Sequence, residues 1–414
     1  ALSRWFFGGY KSPDALAQSI DSAFAKNSLV SLAGAASPEE LNAATAWQKD
    51  YKHNGGADWS QLMDLKALKD YIDQIDIKKS EMEYTVDTKS DQVALITITK
   101  WEGDIEIKPE LADKIREHYK EAKGSDLTAN ESQAFDKMKQ DIQNKPVSSG
   151  NILENFPNNK LTLVSVKEDG KWYLSGYMTV AEQFLGTDSA QPNYSANFTD
   201  VKGASSPEEA VSGMVDALRN GASIGSEDVY RYLDLPERRV AAVYGGGSSS
   251  SEYSASGMDG SGVQVTWGLS STKVSGGAIV NLGTTSITTD EYKVEFNGDS
   301  LTVSYPDIDT RTFRTTTKTM TTNYTEGLVN PERLGVFTVE DASGWHVSFV
   351  RTIGNLNLLA ASDDAVNQAI DGLWSATGSH DVDVSKDEMR DLALNNKPVG
   401  ALLVIGWNFA KNMK

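Results

Sequence analysis

Two stretches of the chain, 173 positions apart, carry one phrase: "KWYLSGYMT" (171–179) and "GWHVSFVRT" (344–352) both read Trp-x-[Leu/Val]-Ser-x-x-x-Thr. A second pair lies upstream of them. "GYKSPDALAQSIDSAFAKN" (9–27) aligns with "GASSPEEAVSGMVDALRNG" (203–221) at an offset of 194, with Ser12/Ser206, Pro13/Pro207 and Ala23/Ala217 identical. Each begins as a helix should, with serine as N-cap, proline at the first helical position and acids near the positive end of the dipole. Leu16, Ile20, Ala23 and Phe24 then recur at helical spacing, as do Ala210, Met214, Ala217 and Leu218. A chain that repeats both its opening helix and its closing hairpin is constrained to build one unit twice.

The material between these landmarks fits that plan. "LAGAASPEELNAA" (32–44) aligns with "LDLPERRVAA" (233–242), setting Pro38 over Pro236. Strand-like alternation follows in "EMEYTVDT" (81–88), "QVALITITKW" (92–101) and a hairpin over 160–180 that turns at Asp169-Gly170. The second copy alternates likewise over 262–271, 277–283, 292–305, 310–320 and 334–352. The expected fold class is α+β: two cone-shaped domains in tandem, each a helix in the concavity of a curved antiparallel sheet, at 10–185 and 204–361. A length of 414 residues suits two domains. Trp172, Trp345, Ser12, Pro13, Ser206 and Pro207 are expected to be structural, each Trp anchoring its sheet to its own first helix.

The remaining segments are assigned by composition. Residues 1–9 are an N-terminal stub, 186–203 a linker, and 245–262 a Gly/Ser-rich loop. Residues 109–145 read as an acidic helical insert, peripheral to the first domain and packed through Leu111, Ile115, Phe135, Met138 and Ile142. Residues 362–414 form a mixed C-terminal tail, with helices near 363–375 and 385–395 and a terminal strand-like run. Its opening, "SDDAVNQAIDGLW" (362–374), reads as the start of a partial third unit without the proline.

The order "SPEEAVSGMVDAL", then "LPERR", then a sheet ending in "GWHVSFVRT" resembles the nuclear-transport-factor-two-like (cystatin-like, SnoaL-type) superfamily. More narrowly, it is similar to membrane-anchored extracytoplasmic proteins of Gram-positive bacteria, which carry one membrane helix and outer cone domains. The resemblance covers roughly 9–185 and 203–361, apart from the 109–145 insert and the tail. It implies a non-enzymatic envelope module whose partner is another envelope protein, or a cell-wall or small ligand. The alternative it implies is a SnoaL- or isomerase-like enzyme acting on a small hydrophobic ligand, with an Asp, His or Tyr inside the cone as acid or base. By placement those residues would be Tyr84, Asp87 and His346.

Residue chemistry narrows the classes further. A net charge of −19 makes nucleic acid and anionic membrane surfaces poor partners. With no cysteine, disulfides, thiolate nucleophiles and Cys-based metal sites are excluded. The histidines, His53, His118, His346 and His380, show no metal spacing, so neither a metal nor a cofactor is expected. "DVDVSKDE" (381–388) begins like a calcium loop, then places Lys386 where the turn needs glycine and Leu392 where a bidentate Glu is required. Ala1 in place of Met, followed by the aromatic "RWFFGG", suggests an upstream segment removed by processing or by choice of boundary. Together with the resemblance, this places the domains outside the cytoplasmic membrane, with membrane contact only through a helix upstream of Ala1.

Overall fold

The structure is a computed structural model that describes residues 8–46, 65–124, 126–185, 191–247, 262–309, 311, 314–377 and 385–411. Expectations for most of the stub and the Gly/Ser loop, for 186–190, for His53 and His380, and for the first residues of the calcium-like loop lie outside these. The chain is α+β and divides into two compact units, 1–198 with 235–247, and 199–234 with 248–414. This differs from the sequence-based boundaries in two ways. The helix at 235–244 packs within the first unit, and the tail belongs to the second.

In the first unit, α1 (Pro13–Ala25) starts as expected: the Ser12 hydroxyl accepts from the Ala15 amide, and Leu16, Ala17, Ile20 and Ala23 are buried. Next come α2 (Pro38–Thr45), α3 (Leu65–Ile72) and the long strands β1 (Ile75–Thr88) and β2 (Val93–Ile107). The insert follows as α4 (Glu110–Lys123) and α5 (Ala129–Asn144), then β3 (Val147–Asn151), β4 (Leu161–Glu168), β5 (Lys171–Ser175) and α6 (Gly176–Leu185). The antiparallel sheet runs β1-β2-β4-β5, with β3 also on β2. It curls into a half-barrel, and register shifts near Ile77 and Glu83 supply the bends. α1 lies across β1, β2 and β5, while α6 packs on β4, so β2 opens with the buried run Val93–Ile96.

The second unit opens with α7 (Pro207–Arg219) and the short α8 (Glu227–Tyr230), after which α9 (Leu235–Tyr244) joins the first unit. Two antiparallel sheets follow. One contains β7 (Ser270–Val274), β8 (Gly277–Asn281), β13 (Val336–Asp341) and β14 (Gly344–Val347) in the order β14-β13-β8-β7. The other runs β12-β11-β10-β9-β6, from β6 (Gln264–Thr266), β9 (Ser286–Thr288), β10 (Lys293–Asn297), β11 (Ser300–Asp309) and β12 (Arg314–Asn323). α7 packs on the first of these sheets. α10 (Phe349–Leu356) closes the repeat, and α11 (Asp363–Thr377), α12 (Lys386–Asn395) and α13 (Lys397–Ala410) form the tail.

The tail is helical among the described residues, which corrects the mixed reading. The run at 399–407 is helix, not strand: Asn396 caps it, Pro398 sits in its first turn, and Val404 is buried beside Ile370 and Val366. An apolar run of that length fits a buried strand or a buried helix equally well, and packing against α11 and α12 settles it as helix. Among the described residues no helix is long and apolar enough to cross a membrane.

Candidate functional site

The repeated phrase proves to be a strand-to-helix junction rather than a plain hairpin strand. In the first unit the Trp172 and Tyr10 backbones exchange N–H···O bonds (3.0 and 2.8 Å), and in the second Trp345 and Ala204 do the same (3.0 and 2.9 Å). Two residues on, Leu174 bridges the strand to Ala35 and Ser37 (2.6 and 2.8 Å), as Val347 does to Tyr232 and Asp234 (2.6 and 2.7 Å). Ser37 therefore matches Asp234, and Pro38 matches Leu235 rather than Pro236, a one-residue correction to the sequence alignment.

Each remaining residue of the phrase has a task. Ser175 and Ser348 cap the helices that follow, accepting from the amides of Met178 (3.0 Å) and Arg351 (3.4 Å). Thr179 and Thr352 each accept from a neighbouring strand, at the amides of Val164 (2.9 Å) and Phe337 (2.8 Å). The Trp side chains play the less distinctive part. Trp172 is buried and shares a face of β5 with Leu174, which packs in the α1 core, whereas Trp345 is only half-buried. Ser206 caps α7 through the Glu209 amide, and Pro13 and Pro207 open their helices as expected.

The acid–base candidates stand in three different settings. Tyr84 on β1 is half-buried among Leu16, Ile20, Ile96 and Phe24; burial, with the charges of Asp21 and Asp14, raises its pKa. Asp87 lies near the end of β1 with its side chain 59% exposed and its carboxylate 2.5 Å from Lys89 Nζ, as a turn residue would. His346 belongs to the other unit and is fully buried. Its Nδ1 meets the Arg231 carbonyl at 2.9 Å, and its Nε2 meets Ser343 Oγ at 2.9 Å and Asp341 Oδ1 at 3.2 Å. A Cβ on Gly203 would lie 2.6 Å from this ring, and one on Gly9 would lie 2.6 Å from the ring of Tyr173, the matching residue. Both rings fill the slot beneath a glycine.

The concavity between α1 and the sheet is filled by the protein's own side chains. Leu16, Ala17, Ile20, Ala35 and Ile96 form one core, and Ile98, Trp101, Ile152 and Leu153 another. Phe24 meets Trp101 edge-on at 4.8 Å between ring centres. An open cleft of about 750 Å³ lies along α1, with a polar lining that includes Gln18, Asp21, Ser22, Lys26 and Ser28. Among the described residues no three histidine or acidic side chains converge as a metal ion would require.

A buried charged cluster in the first unit involves residues other than those candidates. Glu168, at the end of β4, receives Arg239 Nη1 at 2.7 Å and Ser37 Oγ at 2.5 Å. Nearby, Glu40 accepts from the Gly176 and Tyr177 amides (2.7 and 3.3 Å) and from the Ser175 hydroxyl, so it caps α6. Burial raises the Glu40 pKa, against the opposing pull of Ser175, the Tyr177 amide, Arg239 and the Gly176 amide. Beside it, Glu182 on α6 accepts from Tyr194 (2.8 Å) and Tyr244 (2.7 Å), which helps hold α9 to α6. The available signal was "ERR" (237–239) inside the otherwise apolar helix "LPERRVAAVY". Glu40, Glu168 and Glu182 are thus engaged by a cap, a guanidinium and phenols respectively.

The insert is helical, and α5 has no buried residue, but α4 docks differently from the expectation. The buried residues are Ala112, His118 and Ala122, with His118 Nε2 2.9 Å from Asp70 on α3, while Leu111 and Ile115 are only half-buried.

Set beside known proteins, the chain matches no family model, no curated protein and no solved structure.

Proposed function

We propose that the protein is a non-catalytic binding or interaction module of a bacterial cell envelope, held outside the cytoplasmic membrane and built from two cone-type units of the nuclear-transport-factor-two-like kind. The observation that carries the non-catalytic part is the filled interior. In enzymes of the proposed superfamily the substrate would occupy the space between helix and sheet. Here that space holds Leu16, Ile20, Ile96, Phe24 and Trp101 in the first unit. In the second, Ala210, Val211 and Met214 of α7 are buried on the sheet side. The SnoaL- or isomerase-like alternative would need a convergent acid–base pair. Tyr84 packs in the core, Asp87 is paired at the surface, and His346 is enclosed with both ring nitrogens engaged. Its partner would then be met at the surface, by an envelope protein or a cell-wall or small ligand.

Expression of the complete gene, with protease added to intact protoplasts, tests the compartment. Domains that are digested before lysis support the envelope reading. Domains that stay protected until lysis are cytoplasmic, and the proposal falls.

A further inference from the structure

β12 is the outer strand of its sheet: β11 pairs with it over ten consecutive positions, Ser300↔Asn323 to Asp309↔Arg314, without a bulge. β10 pairs with β11 only from Lys293↔Ser304 to Asn297↔Ser300, so beyond Ser304 the two long strands continue as a ribbon. Among the described residues no strand pairs with the outer edge of β12. Residues 314–319 are all exposed.

The phase of the ladder tells which backbone groups point outward. The two-residue turn Gly298-Asp299 is closed by Asn297 and Ser300, a hydrogen-bonded pair in a tight hairpin. Ser300 therefore bonds towards β10 and Leu301 towards β12, and alternation continues along the ribbon. On β12 the even-numbered residues bond inward, in keeping with the Tyr324 amide donating to the Asp299 carbonyl just beyond it (3.1 Å). Thr315, Thr317 and Thr319 then direct their N–H and C=O outward, with their hydroxyls in one column on one face.

Natural edges are usually blunted by proline, a bulge or charge. β12 has neither proline nor bulge, and its cations, Arg314 and Lys318, lie on the opposite face from the threonine column, with Lys318 paired to Asp307 at 2.8 Å. We infer that this edge pairs with the same edge of a second copy of the chain, antiparallel and centred on Thr317. Charge selects that register. Centred on Thr317, Lys318 faces Thr316 and Arg314 faces Met320 of the other copy. Centring on Thr316 would set Arg314 against Lys318, and centring on Lys318 would set Lys318 against itself; like charges directly opposite are unfavourable. Centring on Thr319 slides the contact towards the base, where Thr322 is buried and donates to the Asn408 carbonyl of α13 (2.6 Å). In the favoured register Thr315 faces Thr319 in a hydrogen-bonded pair; β11 and β12 already set threonines opposite each other at the non-hydrogen-bonded pair Thr302 and Thr321 (2.9 Å between hydroxyls). The contact is small, so the dimer is expected to depend on concentration, and chains of −19 each should associate better at higher salt. This inference holds whichever compartment the protein occupies.

The absence of native cysteine makes the register directly testable in the full chain. A hydrogen-bonded antiparallel pair sets its Cα atoms about 5.5 Å apart, within disulfide reach. T317C should therefore cross-link to itself under mild oxidation, whereas T315C alone and T319C alone should not, since their copies lie roughly 13 Å apart along the strand. Mixing T315C with T319C should cross-link. Sedimentation of the unmodified chain should show a mass rising from 44.9 kDa towards twice that with concentration. T317P removes only an outward N–H, a placement proline tolerates on an edge strand, and should leave circular dichroism unchanged while abolishing the rise. A mass constant at all concentrations, equal cross-linking at 315 and 317, or a folded T317P that still dimerises would overturn the inference.

Discussion

The first and second units share a junction and differ in almost everything it joins. In both, a tryptophan strand clamps the segment before the opening helix, a serine caps the closing helix, and a threonine holds the neighbouring strand. Around it, the first unit has one long curled sheet and the second has two shorter ones. Where the first buries Ser37, Glu168 and Arg239 together, the second pairs Asp234, the counterpart of Ser37, with Arg351 at 3.3 Å. Sequence identity therefore survives where a backbone task admits few side chains, as at a cap or a tight glycine. It is lost in strands, where any suitable alternation will serve.

The largest expected effect breaks the contrast between the buried ion pairs. Arg239→Ala would leave Glu168 buried without its cation, costing about 3–5 kcal/mol. Hydrogen exchange should show the loss in β4, α6 and α9 of the first unit. Loss confined to amides of the second unit would contradict the placement of α9.

The equivalence of the junctions is sharpened by Thr179→Val and Thr352→Val. Each strips the acceptor from a strand amide, at Val164 or Phe337, for about 1–3 kcal/mol. Denaturant unfolding of both variants should give similar losses. A loss from only one would mean that the shared phrase has different work in the two units. Ser12→Ala and Ser206→Ala should each cost about 1 kcal/mol through the lost N-cap, read as a shift in the same unfolding midpoints.

The smallest effect is a pH slope. Burial raises the Glu40 pKa above its usual 4.5, so the folded state holds this proton more tightly than the unfolded chain. Its contribution is fully present below pH 4.5 and is lost as pH rises through the higher folded value. Glu40→Gln should remove that part of the pH dependence of unfolding. An unchanged pH profile would show that Glu40 carries none of it.

Much of the architecture was legible because helix starts are local. Ser12-Pro13, Ser206-Pro207, Thr128 with Glu131, and Ser385 with Glu388 all cap as their spacing implies, since a cap is a bond between residues three apart. The candidate acid–base residues were placed by analogy, and the fold uses each otherwise: Tyr84 as core, Asp87 as a surface ion pair, His346 as the ring beneath Gly203. The buried cluster was not legible. Glu40 stands three residues after Ser37, so it reads as half of a capping box for its own helix, and instead it reaches the start of α6, 136 positions away.

By itself, then, the sequence determined that an opening-helix motif and a Trp phrase each occur twice, that the elements are α and β, and that thiol chemistry is absent. Periodicity, caps and composition are properties of neighbouring residues, and they need no fold to be read. Only the tertiary structure decided that 397–410 is helix, that 235–244 packs with the first unit, and that His118 docks the insert. In each case the deciding contact joins residues distant along the chain. Burial of an apolar run, or of a charge beside its counter-charge, is an energy that exists only once those distant residues meet.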